Sequence, residues 1–231
     1  MNNIDYAREL KKKRLAVCEK LMASGVVIED PDTTYIDDTV EISEGAVILP
    51  NTRITGESKI GSKTTVGPNT IIENSTVGEE CDVLASVLKE AVVENGVNIG
   101  PFAYLRPKAH ICTGAKIGDF VEVKNSTVGE GTKVAHLTYI GDADVGSKCN
   151  FGCGTVIVNY DGTNKHRTKI GDNAFIGCNT NLVSPVELGD YAYTAAGSTI
   201  TKDVPEGALG IARARQENKD GWVDKKGYLK K

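Results

Sequence analysis

Aromatic side chains are scarce in this chain, and it lacks the charge excess and long apolar runs of nucleic-acid-binding or membrane-spanning proteins. Phe, Trp and Tyr make up 6% of its 231 residues, and 27 basic residues nearly balance 31 acidic ones. This balance provides no basic footprint for nucleic acid. No apolar stretch approaches the roughly 20 residues that cross a bilayer, and no signal-peptide core precedes the first repeat. We therefore expect a cytoplasmic protein with no nucleic-acid or membrane partner.

Disulfide and metal-binding patterns are also missing. The six cysteines are scattered through a chain too large to need disulfide bonds, so we expect reduced thiols. Cys149 and Cys153 have no second pair at zinc-finger spacing. We therefore predict no metal.

A six-residue repeat is the dominant pattern that is present. Its first run consists of Ile36, Ile42, Ile48, Ile54, Ile60, Val66 and Ile72. A period of six fits neither a helix nor a simple alternating strand. It predicts an all-β protein, a triangular prism of short parallel strands with the aliphatic side chains on its axis. At roughly 18 residues per coil, the stretch from Ile36 to Ile200 predicts about nine coils.

Segments without the repeat flank this column. We predict a capping or linker region over 1–25 with a helix from Asp5 to Ala23, the β-helix over 26–205, and a C-terminal arm over 206–231. The helix should use one face that contains Leu10, Arg14, Val17, Cys18, Leu21 and Met22. Ile157 and Ile170 are 13 residues apart where two repeats take 12, and the polar segment 158–168 between them predicts a protruding loop.

Several motifs within the repeats are more specific than the repeats themselves. They are Gly-Pro-Phe-Ala-Tyr-Leu-Arg-Pro at 100–107, Phe-Val-Glu-Val-Lys at 120–124, Ala-His-Leu-Thr-Tyr-Ile-Gly-Asp-Ala at 135–143 and Asn-Tyr-Asp-Gly at 159–162. In these motifs the chain resembles the C-terminal acetyltransferase half of the bifunctional GlmU family. The resemblance implies a left-handed parallel β-helix and a homotrimer with active sites between subunits. It also implies acetyl transfer from acetyl-CoA to the amine of glucosamine 1-phosphate, a precursor step for UDP-N-acetylglucosamine and peptidoglycan.

The uridyltransferase half of that family begins with a glycine-rich nucleotide-binding motif that this sequence does not contain. We therefore do not expect uridylyl transfer, and a separate uridyltransferase is a candidate partner. Amide formation from a sugar amine needs a base near pH 7, and histidine suits that role. His136 matches the family's proton acceptor.

The remaining site residues are also carried over from the resemblance. On the acceptor side, Arg106, Lys124 and Lys165 match basic contacts to the sugar phosphate, Tyr139 and Asn150 match hydrogen-bonding positions, and Glu122 is expected to orient a basic group or the sugar. On the donor side, the residues that match acetyl-CoA contacts are Cys153, Asn159, Tyr160, Cys178, Ala196 and Arg213.

The chain departs from the family pattern at four places in or near the site. Cys153 replaces the usual alanine, Cys178 replaces a serine, Asp119 replaces an asparagine, and Phe151 replaces a smaller aliphatic residue. A thiol is a weak hydrogen-bond donor, so we expect a weakened contact at Cys178. An acyl-cysteine intermediate is disfavoured, because direct attack by the amine needs no protein nucleophile.

Three other functions are weighed against this one. The acceptor could be another amino sugar or a nucleotide amino sugar, or the protein could be a non-catalytic trimeric scaffold that retains a relic site. A carbonic anhydrase built on the same prism needs three metal-binding histidines per site. His110, His136 and His166 are far apart in sequence and include no close pair, which disfavours that lyase.

Overall fold

The computed structural model describes residues 2–226 and contains a parallel β-helix preceded by one long helix. Three parallel sheets form the three faces of the column, and each strand pairs with the strand one coil along. This arrangement confirms the predicted fold class and agrees with the left-handed winding implied by the resemblance.

The faces differ in their number of strands. The first face contains β1 (Val27–Ile28), β4 (Val47–Ile48), β7 (Thr65–Val66), β10 (Asp82–Val83), β13 (Asn98–Ile99), β16 (Lys116–Asp119), β19 (Lys133–His136), β22 (Asn150–Phe151), β25 (Phe175–Ile176), β28 (Tyr193–Thr194) and β30 (Leu209–Gly210). The second face contains β2 (Tyr35–Ile36), β5 (Arg53–Thr55), β8 (Ile71–Glu73), β11 (Val87–Lys89), β14 (Tyr104–Leu105), β17 (Glu122–Lys124), β20 (Tyr139–Gly141), β23 (Val156–Val158), β26 (Asn181–Val183) and β29 (Thr199–Ile200). The third face contains β3 (Glu41–Ile42), β6 (Lys59–Ile60), β9 (Thr76–Val77), β12 (Val92–Val93), β15 (His110–Ile111), β18 (Thr127–Val128), β21 (Ala143–Val145), β24 (Thr168–Ile170) and β27 (Glu187–Leu188).

Aliphatic side chains stack in register along the axis. On the second face, Ile72 pairs with Leu88, Leu88 with Leu105, and Leu105 with Val123, and all four side chains are fully buried. A parallel ladder places equivalent residues directly above one another, so one aliphatic position per strand builds a continuous core. The six-residue rhythm therefore produces the column by burying the same type of side chain at every rung.

The rhythm also has five-residue steps that the repeat pattern does not identify. Val77, Val83 and Leu88 occupy interior positions between Ile72 and Val93, and all of them are buried. Several short steps contain one non-glycine residue with left-handed backbone, such as Asn74 at φ 47°. Asparagine and aspartate tolerate that conformation better than most residues. In the short step the left-handed residue follows the buried one by two positions, as Asn74 follows Ile72, whereas in the six-residue step from Ile48 to Ile54 it follows by three, at Asn51.

Helix α1 spans Asn3–Ala23, and Asn2 caps it by accepting a hydrogen bond from the Asp5 amide at 2.9 Å. The helix packs against β1 and β2 at the start of the column. Of the predicted apolar face, Cys18 and Leu21 are buried, but Leu10 is 48% exposed and Met22 is 37% exposed. Arg14 also reaches the column, because its guanidinium lies 4.6 Å from the Tyr35 ring centroid, and Val17 packs against the core. The predicted face therefore makes contact from Arg14 to Leu21 and is exposed at its two ends, Leu10 and Met22.

The predicted loop is larger than the spacing suggested. Ile157 and Ile170 belong to consecutive strands, β23 and β24, so only one repeat step lies between them and not two. The whole segment between these strands is therefore a loop at a single corner of the column. In register, 25 residues separate Phe151 from Ile176, whereas 17 separate Val134 from Phe151. The C-terminal arm first adds β30 to the first face and later forms α2 (Trp222–Lys225).

Candidate active site

Five of the residues discussed above lie along one edge of the column, where the first face turns into the second. Strands β16 and β19 place Asp119 in register with His136. Cys153 follows β22 and Cys178 follows β25, and the Asn179 amide donates to the Cys153 carbonyl at 2.8 Å. One coil further, the Gly197 amide donates to the Cys178 carbonyl at 2.8 Å, beside Ala196. We call Asp119, His136, Cys153, Cys178 and Ala196 the His136 edge.

His136 forms a dyad with Asp119. The Nδ1 atom of the ring lies 2.6 Å from Asp119 Oδ1, and the His136 side chain is 58% exposed. This hydrogen bond is the main reason that the pKa of Asp119 is lowered. A carboxylate at Nδ1 favours the tautomer with its proton on that atom, which leaves the Nε2 lone pair free to accept a proton. The geometry therefore suits general-base catalysis at the surface of the column.

An apolar ridge runs beside this dyad. Phe102 and Phe120 stack with ring centroids 5.4 Å apart, and Leu137 continues the line directly after His136. All three side chains are more than half exposed, and all three residues have left-handed backbone. Contiguous exposed apolar side chains of this kind mark surfaces that associate with another molecule.

The second face carries an alternating polar ladder. Tyr104, Glu122 and Tyr139 are in register on β14, β17 and β20. Glu122 accepts a hydrogen bond from Arg106 Nη1 at 2.7 Å, and this bond raises the pKa of the guanidinium. The Tyr139 ring lies over Gly141, where a Cβ atom would come within 2.3 Å of the hydroxyl. Glu122 thus pairs with the basic group Arg106, and Gly141 leaves room for the Tyr139 ring.

Two lysines meet where the second face turns into the third. Lys124 ends β17, and Lys165 comes from the long loop between β23 and β24. The pKa of Lys124 is lowered, first by its contact with the Lys165 ammonium and then by desolvation. Asp142 opposes this shift only in part. Two ammonium groups held this close create a local demand for an anion.

Asp142 connects the loop to the column. Its buried carboxylate accepts hydrogen bonds from the side-chain amides of Asn125 and Asn159. Burial raises the pKa of Asp142, but these hydrogen bonds, together with Lys124 and Lys165, outweigh it and lower the pKa overall. The Asn159 amide is therefore committed to holding the start of the loop, whatever else that residue contacts.

Asp161 organises the tip of the same loop. Its Oδ1 accepts from the amides of Asn164 at 2.6 Å and Thr163 at 2.7 Å, and its Oδ2 lies 2.7 Å from His166 Nε2. The Asn164 amide is the largest cause, followed by His166, of a pKa lowered to about 2. Tyr160 is more than half exposed and donates its hydroxyl to the Gly162 carbonyl at 2.6 Å.

The other predicted residues lie on or beside the first face. Asn150 is half-buried on β22, between Lys133 and Phe175 in the ladder. Arg213 is exposed, and its Cδ lies 3.8 Å from the position that a Cβ atom on Gly197 would occupy, one residue after Ala196. The structure thus groups the predicted residues along two neighbouring edges, and the third face carries none of them.

The sequence did not reveal the contacts of two further side chains at these edges. Asp119 was noted only as a departure from the family, although it is the hydrogen-bond partner of His136. Asp142 lies inside a quoted motif but received no role, although it connects Asn125 to Asn159. Asp119 and His136 are 17 residues apart, and so are Asp142 and Asn159. This separation equals the length of one coil in this region and could have predicted both contacts.

The three histidines do not form one cluster. His110 lies beside Glu94, His136 beside Asp119 and His166 beside Asp161, each on a different element. This separation gives no support to the lyase alternative.

Neither of the two described helices combines the length and apolar content needed to cross a bilayer.

The fold and the edge residues together define a hexapeptide-repeat β-helix with a histidine–carboxylate dyad. Residues 167–202 match the family described as bacterial transferase hexapeptide (six repeats). The solved structure of LpxA, a UDP-N-acetylglucosamine acyltransferase from Bacteroides fragilis, superposes with a TM-score of 0.57 at 20% identity and covers 77% of this chain and 69% of its own. The Arabidopsis UDP-N-acetylglucosamine acyltransferase gives a TM-score of 0.55 at 16% identity, covering 89% of this chain and 76% of its own. At this identity, the likeness shows the fold alone.

Sequence relatives are much more similar. A protein named bifunctional protein GlmU from Clostridium beijerinckii is 56% identical over 224 residues, which is 97% of this chain and 49% of that protein. The protein of the same name from Clostridium botulinum is 57% identical over 94% of this chain and 48% of its own length. The chain belongs with the C-terminal region of the GlmU family, as the motifs predicted. It spans about half the length of the curated relatives it matches.

Proposed function

We propose that this chain catalyses acetyl transfer from acetyl-CoA to the amine of glucosamine 1-phosphate. The observation that carries the proposal is the Asp119–His136 dyad on an exposed edge, in which a carboxylate holds Nδ1 and thereby favours the tautomer whose Nε2 can accept a proton. Relatives named GlmU support the substrate assignment, because about half of their length aligns with almost all of this chain.

The reaction follows from the roles of these groups. The sugar amine attacks the thioester carbonyl, and His136 Nε2 takes the proton that the amine loses as the carbon–nitrogen bond forms. Collapse of the tetrahedral adduct breaks the carbon–sulfur bond, and the coenzyme leaves as a thiol once it is protonated. Asp119 stabilises the imidazolium that exists between these steps. No protein nucleophile is needed.

The lysine pair supports a phosphate-bearing acceptor. The neighbouring Lys165 ammonium lowers the pKa of Lys124. A phosphate dianion placed between the two lysines would relieve the repulsion between their charges. Arg106 is already paired with Glu122, so its guanidinium offers its remaining donors in a fixed orientation. On the donor side, Arg213 is an exposed cation beside Gly197, next to Ala196 of the His136 edge, and suits a phosphate of the coenzyme. This reaction takes place where acetyl-CoA is available, which agrees with the cytoplasmic location expected from the sequence.

We also propose that the active protein is a homotrimer. The exposed ridge of Phe102, Phe120 and Leu137 lies beside the dyad, so an adjacent subunit packed there would cover the ridge and complete a cleft over His136. Light scattering should give three times the chain mass for the unaltered protein and a smaller mass for Phe120→Ser. A monomer that is fully active would contradict the trimeric site.

The decisive experiment is a panel of acceptors with acetyl-CoA. Glucosamine 1-phosphate, glucosamine 6-phosphate, glucosamine and a nucleotide amino sugar would be compared, and released coenzyme would be measured after the protein is filtered away, because its own cysteines react with thiol reagents. We expect glucosamine 1-phosphate to give the highest kcat/KM. Preference for the nucleotide sugar would change the acceptor, and no turnover with any member would favour the scaffold alternative.

His136→Ala assigns the base within that experiment. We expect turnover to fall by about 10²- to 10⁴-fold, the contribution typical of a positioned general base, with coenzyme binding and oligomer mass unchanged. Near-normal turnover in this variant would refute the assigned role.

A further inference from the structure

A cluster of three metal-ligating side chains lies on the third face, which carries none of the residues proposed for acetyl transfer. The carboxylate of Glu94, the imidazole of His110 and the thiol of Cys112 have their ligand atoms within 4.8 Å of one another. We propose that these three residues form a binding site for a divalent transition metal, with Zn²⁺ as the best-fitting ion. Neither the repeat nor the transfer chemistry requires this combination of residues.

The fold brings these residues together by register. Val92 of β12 pairs with His110 of β15, and Val93 pairs with Ile111, so Glu94 lies alongside Cys112 one coil later. His110 and Cys112 flank Ile111, which ends β15 and is fully buried in the core. Alternation therefore directs both ligands outward. Because the contact spans successive coils, no short sequence motif reveals it.

Glu94 is already held in place for this role. Its Oε2 accepts hydrogen bonds from the Thr113 hydroxyl at 2.8 Å and from the Thr113 amide at 3.0 Å. Its Oε1 faces His110 Nε2 at 2.8 Å. Hydrogen bonds from outer residues orient metal ligands and strengthen binding in many sites. Thr113 fixes one oxygen of the carboxylate and leaves the other directed at the ligand cluster.

The donor set distinguishes between metals. Nitrogen, sulfur and oxygen ligands suit Zn²⁺, whereas Mg²⁺ and Ca²⁺ prefer oxygen alone. With bonds of about 2.0 to 2.3 Å, tetrahedral ligand atoms lie roughly 3.3 to 3.7 Å apart. Glu94 Oε1 and His110 Nε2 lie 2.8 Å apart, so a bound ion would replace their hydrogen bond and widen that distance by about 0.5 Å, while all three ligand atoms already lie within 4.8 Å of one another. Three protein ligands leave a fourth position for water.

The location also gives the ion access and a physical role. The side chains of His110 and Glu94 are 42% and 38% exposed, so an ion can enter from solvent. The ligands come from two successive coils, so a bound ion would cross-link them outside the aliphatic core. Because the site lies on a face without transfer residues, this inference does not depend on the proposed function.

Cobalt is the sharpest probe, because a thiolate bound to Co²⁺ produces an intense ligand-to-metal charge-transfer band. The unaltered full chain, reduced with a phosphine and stripped of metal, would be titrated with Co²⁺ and then with Zn²⁺. We expect one equivalent to bind with this band, and Zn²⁺ to displace it. Cys112→Ser should abolish the band, and His110→Ala should weaken Zn²⁺ binding by at least about 100-fold, since even an outer-residue substitution costs 10- to 100-fold. Thr113→Val should weaken it by about tenfold for the same reason.

Matched controls use the other cysteines and histidines. A Cys153→Ser, Cys178→Ser double variant and a His166→Ala variant should bind the ion as the unaltered chain does. The proposal is overturned if the band survives Cys112→Ser, if the double variant loses it, or if the unaltered chain shows no thiolate band at an equimolar ratio.

A second measurement avoids any folding defect in the Cys112 variant. Alkylation of the unaltered chain would be followed at each cysteine by peptide mass spectrometry. We expect Zn²⁺ to slow the reaction of Cys112 by at least about tenfold while leaving Cys178 unaffected. Equal alkylation rates at Cys112 with and without Zn²⁺ would contradict the site. Metal binding should persist in His136→Ala, so the metal site can be confirmed or rejected independently of the proposed acetyl transfer.

Discussion

Two lines of residues run along the same strands, two positions apart, and they differ completely in chemistry. The inner line contains Ile117, Val134, Phe151 and Ile176, all in register and at most 2% exposed. The outer line is the His136 edge, which combines a carboxylate, an imidazole and two thiols. The same coil spacing positions both lines. The comparison shows that the repeat restrains side-chain chemistry on the axis and leaves the edge free to acquire function.

The largest expected effect tests the inner line with a matched pair of isoleucines. Ile72 is fully buried, and its neighbour Ile71 on the same strand is 41% exposed. Ile72→Ala should lower the free energy of unfolding by about 2 to 5 kcal/mol, because it removes buried carbons and leaves a cavity. Ile71→Ala should change it by less than about 1 kcal/mol. Urea unfolding at equal protein concentration measures both, and equal losses would show that the axis is not the main source of stability.

Charge on the outer surface is tested by the next variant. Lys165→Ala should raise KM for glucosamine 1-phosphate by about 10- to 100-fold, since a charge-assisted hydrogen bond is worth about 1.5 to 3 kcal/mol. Lys169→Ala is the matched control, because Lys169 lies on β24 and pairs with Glu187 on the third face. Initial rates over a range of acceptor concentrations provide the readout. An equal KM increase in both variants would reduce the effect to general electrostatic attraction.

Variants of Asp119 test whether His136 depends on its neighbour one coil earlier in the ladder. Asp119→Ala should lower kcat by about 10-fold or somewhat more, as expected for a group that orients a reacting histidine. Asp119→Asn should recover most of the rate, since its amide oxygen can still accept the proton on His136 Nδ1. An Asn variant as slow as the Ala variant would show that the charge itself is required.

The inner line could be predicted from the sequence much better than the outer one. Period six identified Ile36 to Ile72 as axial positions, and the structure buries them all. The five-residue steps through Val77 and Leu88 were missed because a left-handed residue at a corner leaves no apolar signal. On the edges, individual residues were carried over from motifs, whereas the Asp119–His136 contact required the register of the coils. The Lys124–Lys165 contact required the conformation of the long loop. Contacts between coils depend on coil length, which varies along this chain.

The next prediction concerns the long loop, whose conformation depends on Asp161 and not on the repeat. The pKa of Asp161 is about 2 against an ordinary value of 3.8, so the charged carboxylate favours the folded loop. That contribution is complete above the ordinary value and is lost as the pH falls through about 2. Hydrogen exchange at the Thr163 and Asn164 amides should stay slow at pH 5 and accelerate, relative to the intrinsic rate, as pH approaches 2. Asp161→Ala, which removes the acceptor of both amides, should show fast exchange at every pH, and protection that is independent of pH in the unaltered chain would contradict this role.

The smallest effect concerns the two thiols on the His136 edge. Cys178 occupies a position where the family usually has serine, and a hydroxyl donates a better hydrogen bond than a thiol. Cys178→Ser should therefore raise kcat/KM for acetyl-CoA by about 2- to 10-fold, equivalent to one ordinary hydrogen bond. Cys153→Ala is the matched control one coil earlier and should be neutral, since we expect that residue to act through its backbone amide. A gain at Cys153 but none at Cys178 would reverse this assignment and move the donor contact to the neighbouring coil.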